Sequence, residues 1–339
     1  MVFPARQSGV SAASGSRRKP MRSQPVRLPR ASCGSRASSK AQESTWMNPR
    51  RSLPWLAGRP RTLEILSPPF RLEHTLTSGQ CFRWCKRGRG FLGIVSGYVL
   101  CLEQKGSRLL YRSFPPGFAA SRLRTYLGLD GVHAAAVRSF PGDPILLRAV
   151  KKFRGMRLLR QDPYETLISF IISSNNNIKR IRSCIERLCR TFGEEIEPGS
   201  GFHAFPPPEE LADAPLRTLR GKCNLGYRDR YVRDTAREIA RTPQLLSEIA
   251  RLPYREARKA IMQLPGVGRK VADCVLLYSM EKWEAFPVDT WIRKTVQDNY
   301  FGGKRVSDST IATFARQHFG PFAGYAQLYL FHYARTAGV

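Results

Sequence analysis

Hydrophobic and polar positions change period along the chain, and the change divides it. From about residue 60 to 115, the stretches "QCFRW", "GFLGIVSG", "YVLCLEQKG" and "SRLLYRSF" are short, aromatic or β-branched, and punctuated by Gly and Ser. They predict a small antiparallel sheet. After about residue 140 the period becomes helical. Asp162 offers an N-cap with Pro163 in the first turn. That helix breaks at the run Asn175, Asn176, Asn177, after which Ile178, Ile181, Ile185, Leu188 and Phe192 recur on one face. Further helices are expected over 229–240, 254–263, 270–280, 289–299, 308–319 and 323 to about 336. No internal repeat is visible. The pattern predicts an α+β chain, with a small N-terminal antiparallel β-rich domain over 59–142 and an all-helical domain over 143–339.

Residues 1–58 stand outside this pattern. They are rich in Arg, Ser, Pro and Gly, with Glu43 the only acidic residue. Such a segment buries too little apolar surface to offset the entropy of ordering it, so it reads as a disordered basic extension. Three origins fit it: a DNA-binding arm, an Arg/Ser-rich targeting peptide, or an upstream reading from a misassigned start, with Met47 as the later candidate.

Charge narrows the partners. Lys+Arg 56 against Asp+Glu 26 gives a formal net charge of +30, which points to a polyanion, nucleic acid first and an anionic membrane second. No apolar run reaches the roughly 20 residues that a spanning helix needs, so a membrane is not expected. Apolar residues make up 42% of the chain, ordinary for a globular protein. The eight cysteines show neither a CxxC pair nor a Cys/His cluster of zinc spacing, so a reduced compartment without a structural metal is expected.

The chemistry gathers at "LPGVGRKVADC". A helix over 254–263, the glycine turn and a second helix read as a helix-hairpin-helix unit, in which the backbone N–H groups of Gly266 and Gly268 can approach a phosphate. Lys270 lies in the first turn of the second helix, where the helix dipole disfavours an ammonium. Solvent exposure and phosphate binding are the ordinary roles for such a lysine. A nucleophilic amine forming a Schiff base is the third. Cys274, at i+4, shares its face. Downstream, "FPVDTWIRK" places Asp289 at a helix start, either as an N-cap or as a carboxylate that stabilises an oxocarbenium-like sugar.

With these residues in hand, the chain resembles the helix-hairpin-helix DNA glycosylases, and within them the 8-oxoguanine DNA glycosylase/AP lyase family. "SGQCFRW", "RLLRQDPYETLISFIISSNNNIKRI", "LGYRDRYV" and "GPFAGYAQLYLF" extend the likeness from about residue 60 to the C-terminus. The resemblance implies an enzyme, a DNA N-glycosylase with AP-lyase activity, that flips out and excises 8-oxoguanine paired with cytosine. It would then nick the strand by β-elimination, beginning base-excision repair. Residue by residue, it implies Lys270 as the nucleophile and Asp289 as the stabiliser of developing positive charge. The Gly79 carbonyl would accept the N7–H that 8-oxoguanine has and guanine lacks. Cys274 and Phe331 would sandwich the base, and Gln327 would bond its Watson–Crick edge. Asn175, Arg180 and Arg228 would read the orphaned cytosine, and Tyr227 would wedge beside it.

Relatives with an iron–sulfur cluster carry four cysteines after the helical domain, whereas this chain has none beyond Cys274. Neither iron–sulfur cluster, metal nor other cofactor is therefore expected. Two departures stand out. Trp291 and Ala334 replace the histidine and aspartate with which animal members hold a phosphate, so that role is not transferred to Trp291. A monomer acting on double-stranded DNA is expected, intracellular and DNA-associated, in bacterial cytoplasm or nucleoid, or in the nucleus if eukaryotic. Two alternatives remain open: a glycosylase for another damaged base, or a non-catalytic DNA-binding protein that uses the hairpin as a clamp.

Overall fold

The computed structural model describes residues 53–65 and 69–337. Most of the basic extension, with Met47, lies outside these residues. Its last part, expected to be disordered, is instead packed: Leu53 is buried beside Leu92, Ile94, Val99 and Phe202, and the Trp55 ring stacks on Phe114 at 5.7 Å.

Five antiparallel strands form one sheet in the order β1-β5-β4-β3-β2. They are β1 Arg61–Glu64, β2 Trp84–Arg87, β3 Gly90–Val95, β4 Tyr98–Lys105 and β5 Arg108–Phe114. β3 is buried along its whole length because both faces of the sheet are covered. Side chains alternate between faces along a strand, so Phe91 and Val95 join one cluster with Trp84, Leu100 and Leu102, while Leu92 and Ile94 join the cluster around Leu53. Gly93 leaves room for the Trp84 indole, which any β-carbon there would strike. The stretch "QCFRW" is mostly a loop; only Trp84 enters β2, because Gln80 is drawn away into bonds with the helical part of the chain.

Three short helices, α1 Leu72–Thr77, α2 Ala120–Tyr126 and α3 Val132–Arg138, lie within the part expected to be β-rich. The helical part continues with α4 Pro144–Lys152, α5 Pro163–Ser173, α6 Ile178–Phe192, α7 Pro208–Ala212, α8 Leu216–Arg220 and α9 Asp229–Arg241. It ends with α10 Leu245–Arg251, α11 Tyr254–Ile261, α12 Arg269–Ser279, α13 Thr290–Tyr300, α14 Asp308–Phe319 and α15 Ala323–Ala337. Asp162, Asn177, Asp289 and Ser307 cap α5, α6, α13 and α14 by accepting first-turn N–H groups. α5 and α12 pack together at the centre of the helical core, which sets the end of α5 against the start of α12.

Candidate active site

The hairpin is shaped by the residues beneath it. Gly266 has φ +76°, and a β-carbon on it would come within 2.6 Å of Tyr231 Cβ. Position 266 therefore admits only glycine without movement. Gly268 differs: its φ is −86° and a β-carbon there would meet nothing. Its bareness leaves the start of α12 open to solvent and, with no capping side chain, leaves first-turn N–H groups free to face an anion. Thr235 donates to the Pro265 carbonyl at 2.7 Å and fixes the turn to α9. Below it, Tyr254 donates to Asp273 at 2.8 Å, joining α11 to α12, and burial pushes the Asp273 carboxyl up to about 6.

Lys270 projects from the first turn of α12 onto the end of α5. Its Nζ donates to Ser173 Oγ at 3.0 Å and lies 4.9 Å from the centre of the Phe170 ring. Phe170 stacks on Tyr278 and meets Phe82 edge-on, so the amine rests on an aromatic floor. Cys274, one turn on, is buried, and that burial pushes its thiol up to about 12. Lys270 opposes the shift. The side chain is accordingly a thiol, small and apolar.

Asp289 caps α13, accepting from Ile292 N at 2.8 Å. Burial raises its carboxyl above the usual aspartate range, while the Ile292 N–H and the Lys270 charge resist. Amine and carboxylate thus come from two separate helix starts and are within electrostatic reach. The turn before Asp289 is tied to α15: Gln327 Nε2 donates to the Pro287 carbonyl at 3.1 Å, and Tyr278 donates to Gln327 Oε1 at 3.4 Å.

Gly79 closes the other side. It has φ +93°, and a β-carbon on it would meet Phe331 Cε1 at 3.1 Å and Arg335 Nη1 at 2.8 Å. The loop is held by Gln80, fully buried, whose amide nitrogen donates to the Arg157 carbonyl at 2.8 Å and whose oxygen accepts from Leu159 N at 2.7 Å. Gly79, Phe331, Gln327, Cys274, Lys270 and Asp289 are thereby assembled on α12, α15, the start of α13 and the loop after α1.

A second group gathers at the break between α5 and α6. Asn175 is exposed with φ +48°. Arg180 is exposed on the first turn of α6. Tyr227 is 55% exposed, with its hydroxyl donating to the Ser174 carbonyl at 3.3 Å. Arg228, expected to read the orphaned cytosine, is engaged with the protein itself in this structure. It is buried, stacked 4.4 Å from the Tyr227 ring centre, and donates to the carbonyls of Ser174, Asn175 and Leu225. Its strongest action in this state is to hold the Asn175 turn. Trp291, left without a role by the sequence, is 39% exposed on the first turn of α13, and Ala334 is buried.

Sequence reasoning missed Ser173, Phe170, Tyr278, Tyr231 and Arg335. Phe170 and Tyr278 belong to apolar runs and look like core, and Ser173 opens the polar run before the Asn residues and looks like linker; only the contact with Lys270 or Gln327 sets them apart. Tyr231 carries no signal in a polar helix face, and Arg335 lies near the chain end without a motif.

Residues 63–167 match the N-terminal domain of 8-oxoguanine DNA glycosylase, and residues 168–318 match the HhH-GPD superfamily of base excision DNA repair proteins. A probable N-glycosylase/DNA lyase of Methanothermobacter thermautotrophicus is 37% identical over 59% of this chain and 70% of the relative. The N-glycosylase/DNA lyase OGG1 of Arabidopsis thaliana is 31% identical over 79% of this chain and 78% of the relative. Among solved structures, the 8-oxoguanine glycosylase/lyase of Clostridium acetobutylicum, bound to double-stranded DNA with cytosine opposite 8-oxoguanine, aligns with a TM-score of 0.74. It is 32% identical, covering 83% of this chain and 97% of that one.

Proposed function

The chain belongs to the 8-oxoguanine DNA glycosylase family within the HhH-GPD base excision repair superfamily, and we propose that it excises 8-oxoguanine paired with cytosine and then nicks the strand. The observation that carries this reading is the meeting of an amine and a carboxylate beside the Gly79–Phe331 contact. Lys270 sits on Phe170, and Asp289 is close enough for its charge to be felt.

In the reaction, the Lys270 nitrogen bonds to C1′ of the flipped nucleotide while the bond from C1′ to the base breaks, the base leaving with a proton. Asp289 lowers the energy of the cationic sugar between those events, an effect strengthened by partial burial. Opening of the sugar ring gives a protonated Schiff base, which makes the C2′ hydrogen acidic. Loss of that proton breaks the C3′–O bond and releases the strand on its 3′ side. Gly79 offers its carbonyl to the N7–H of the oxidised base. Guanine would set two acceptors against each other there and leave both unpaired. Cys274 and Phe331 hold the base between them, Gln327 takes its Watson–Crick edge, and Gly266 and Gly268 hold the backbone. On the opposite side Tyr227 fills the vacated stack, while Asn175, Arg180 and Arg228 meet the orphaned cytosine. Arg228 does so by giving up carbonyl bonds. The enzyme works as a monomer on the cell's DNA, with the side chains themselves supplying the chemistry.

The test is borohydride trapping on duplexes carrying 8-oxoguanine opposite each of the four bases. A covalent adduct, greatest opposite cytosine and absent in Lys270→Gln, is expected. A wild-type protein that forms no adduct with any of them overturns the reading.

A further inference from the structure

Arg335 lies on the last turn of α15, at the mouth of the contact between Gly79 and Phe331. Its guanidinium sits 5.4 Å from the centre of the Phe331 ring, and Nη1 occupies the space that a β-carbon on Gly79 would need, 2.8 Å from its position. Nη2 donates to the Thr77 carbonyl and approaches His332 Nδ1 at 3.2 Å. Every one of these partners is neutral: burial pushes the His332 imidazole down to about 4. Among the described residues no carboxylate stands within ion-pair distance of Arg335; the Asp289 charge is felt there only from further away. The Arg182 charge also reaches it, and Arg182 Nε is itself buried with no hydrogen-bond partner among the described residues. A half-buried guanidinium among neutral acceptors, within electrostatic reach of a second cation, is electrostatically incomplete.

We propose that the missing anion is a DNA phosphodiester adjoining the flipped nucleotide, which Arg335 grips with its planar fork after releasing the Thr77 carbonyl. Phosphate is favoured over a neutral acceptor because the charge-assisted pair is roughly twice as strong, and the fork geometry matches two phosphate oxygens. The stacking on Phe331 then makes one side chain report on both events, with base entry moving the ring and phosphate binding moving the guanidinium. This assignment rests on the function proposed above, and its test uses a substrate from which the base is absent.

Binding is measured to duplexes bearing a tetrahydrofuran abasic analogue, with single neutral methylphosphonates placed in turn at each phosphate flanking it. For the wild type, one position next to the lesion is expected to cost about ten- to a hundredfold in affinity, as for a hydrogen bond to a charged group. In Arg335→Gln, which keeps a donor for Thr77 but no charge, the cost at that position alone should vanish. The slope of log affinity against log salt should fall by about 0.9, the value for one phosphate contact. Arg335→Lys should restore part of both. Near-ultraviolet circular dichroism identical to wild type shows that the glutamine variant is folded. Methylphosphonate costs unchanged in a folded Arg335→Gln, at every position, overturn the assignment. A wild type that forms no borohydride adduct on 8-oxoguanine duplexes removes the underlying reading instead, so the two failures are distinct.

Discussion

Asp289 caps α13 with its carboxylate, and the proposed role of that carboxylate toward the sugar is separable from the cap. As an N-cap it needs only an acceptor for Ile292 N–H, which asparagine also supplies. As a partner for a cationic sugar it needs its charge. Asp289→Asn is expected to bind abasic-analogue DNA within a few-fold of wild type while losing base excision about a hundredfold or more, comparable to removing a main electrostatic contact. Single-turnover excision and equilibrium binding, measured on the same duplex, check this; a parallel collapse of both would make the residue a structural cap alone. The pH profile follows from the same burial. A carboxyl raised by burial is protonated at higher pH than an ordinary aspartate of about 3.9, so the acid limb of excision should lie above that value. For stability the sign is reversed. The folded state binds this proton more tightly than the unfolded chain, so Asp289 becomes a burden as pH rises through its folded pKa. Asp289→Asn should consequently melt higher than wild type at pH 7.5. The pair Lys270 and Asp289 was legible in sequence because hairpin spacing and family resemblance mark both. Their supports Phe170, Ser173 and Tyr278 were not, because a residue in an apolar run or a polar linker announces burial or exposure and says nothing of which polar atom it will meet.

The hairpin shows how unequal two glycines can be within one motif. Gly266 is demanded by its positive φ and by Tyr231 beneath it, whereas Gly268 is demanded by neither. Gly266→Ala should lower thermal stability by about 1–3 kcal/mol, the range for backbone strain at a special φ. Gly268→Ala should leave the melting temperature unchanged and weaken DNA binding, since its only evident use is access to the backbone. Melting curves and a salt-matched binding isotherm decide it; a destabilised Gly268→Ala would show that the bare helix start has a folding role. The sequence reading treated both glycines alike because φ and the neighbour at 231 are tertiary facts. Element by element the same division holds. The helix expected over 308–319 is α14 residue for residue, and α9 and α13 differ by a residue at one or both ends, because each carries three or more turns of periodicity, with a capping side chain at the start of α13 and α14. α1, α2 and α3 were missed, being six or seven residues long and too short to show a period. β1 has one buried residue in four, so no alternation could reveal it.

At the scale of the whole molecule, the site draws on residues from 79 to 335, and no contiguous segment could form it. Gln80 is the clearest tie across that distance. Its side chain joins Thr75 and Ser78 on its own side to Arg157 and Leu159 on the other, and its backbone carbonyl accepts from Gln161. The segment 157–161 therefore positions Gly79, and the base specificity proposed for Gly79 would depend on contacts made outside the pocket. Gln80→Leu keeps much of the volume but leaves the Arg157 carbonyl and the Leu159 N–H buried without this partner. At about 1–3 kcal/mol for each unsatisfied group, the variant should lose about 2–6 kcal/mol of stability. If enough stays folded to assay at low temperature, discrimination between 8-oxoguanine and guanine should fall more than Schiff-base trapping at a preformed abasic site. In the proposed mechanism the second reaction draws on Lys270 and not on the Gly79 carbonyl. Equal losses in the two assays would mean that Gln80 supports the molecule generally. A loss confined to base discrimination would make the bridge from the loop to residues 157–161 part of how the enzyme tells an oxidised guanine from an intact one.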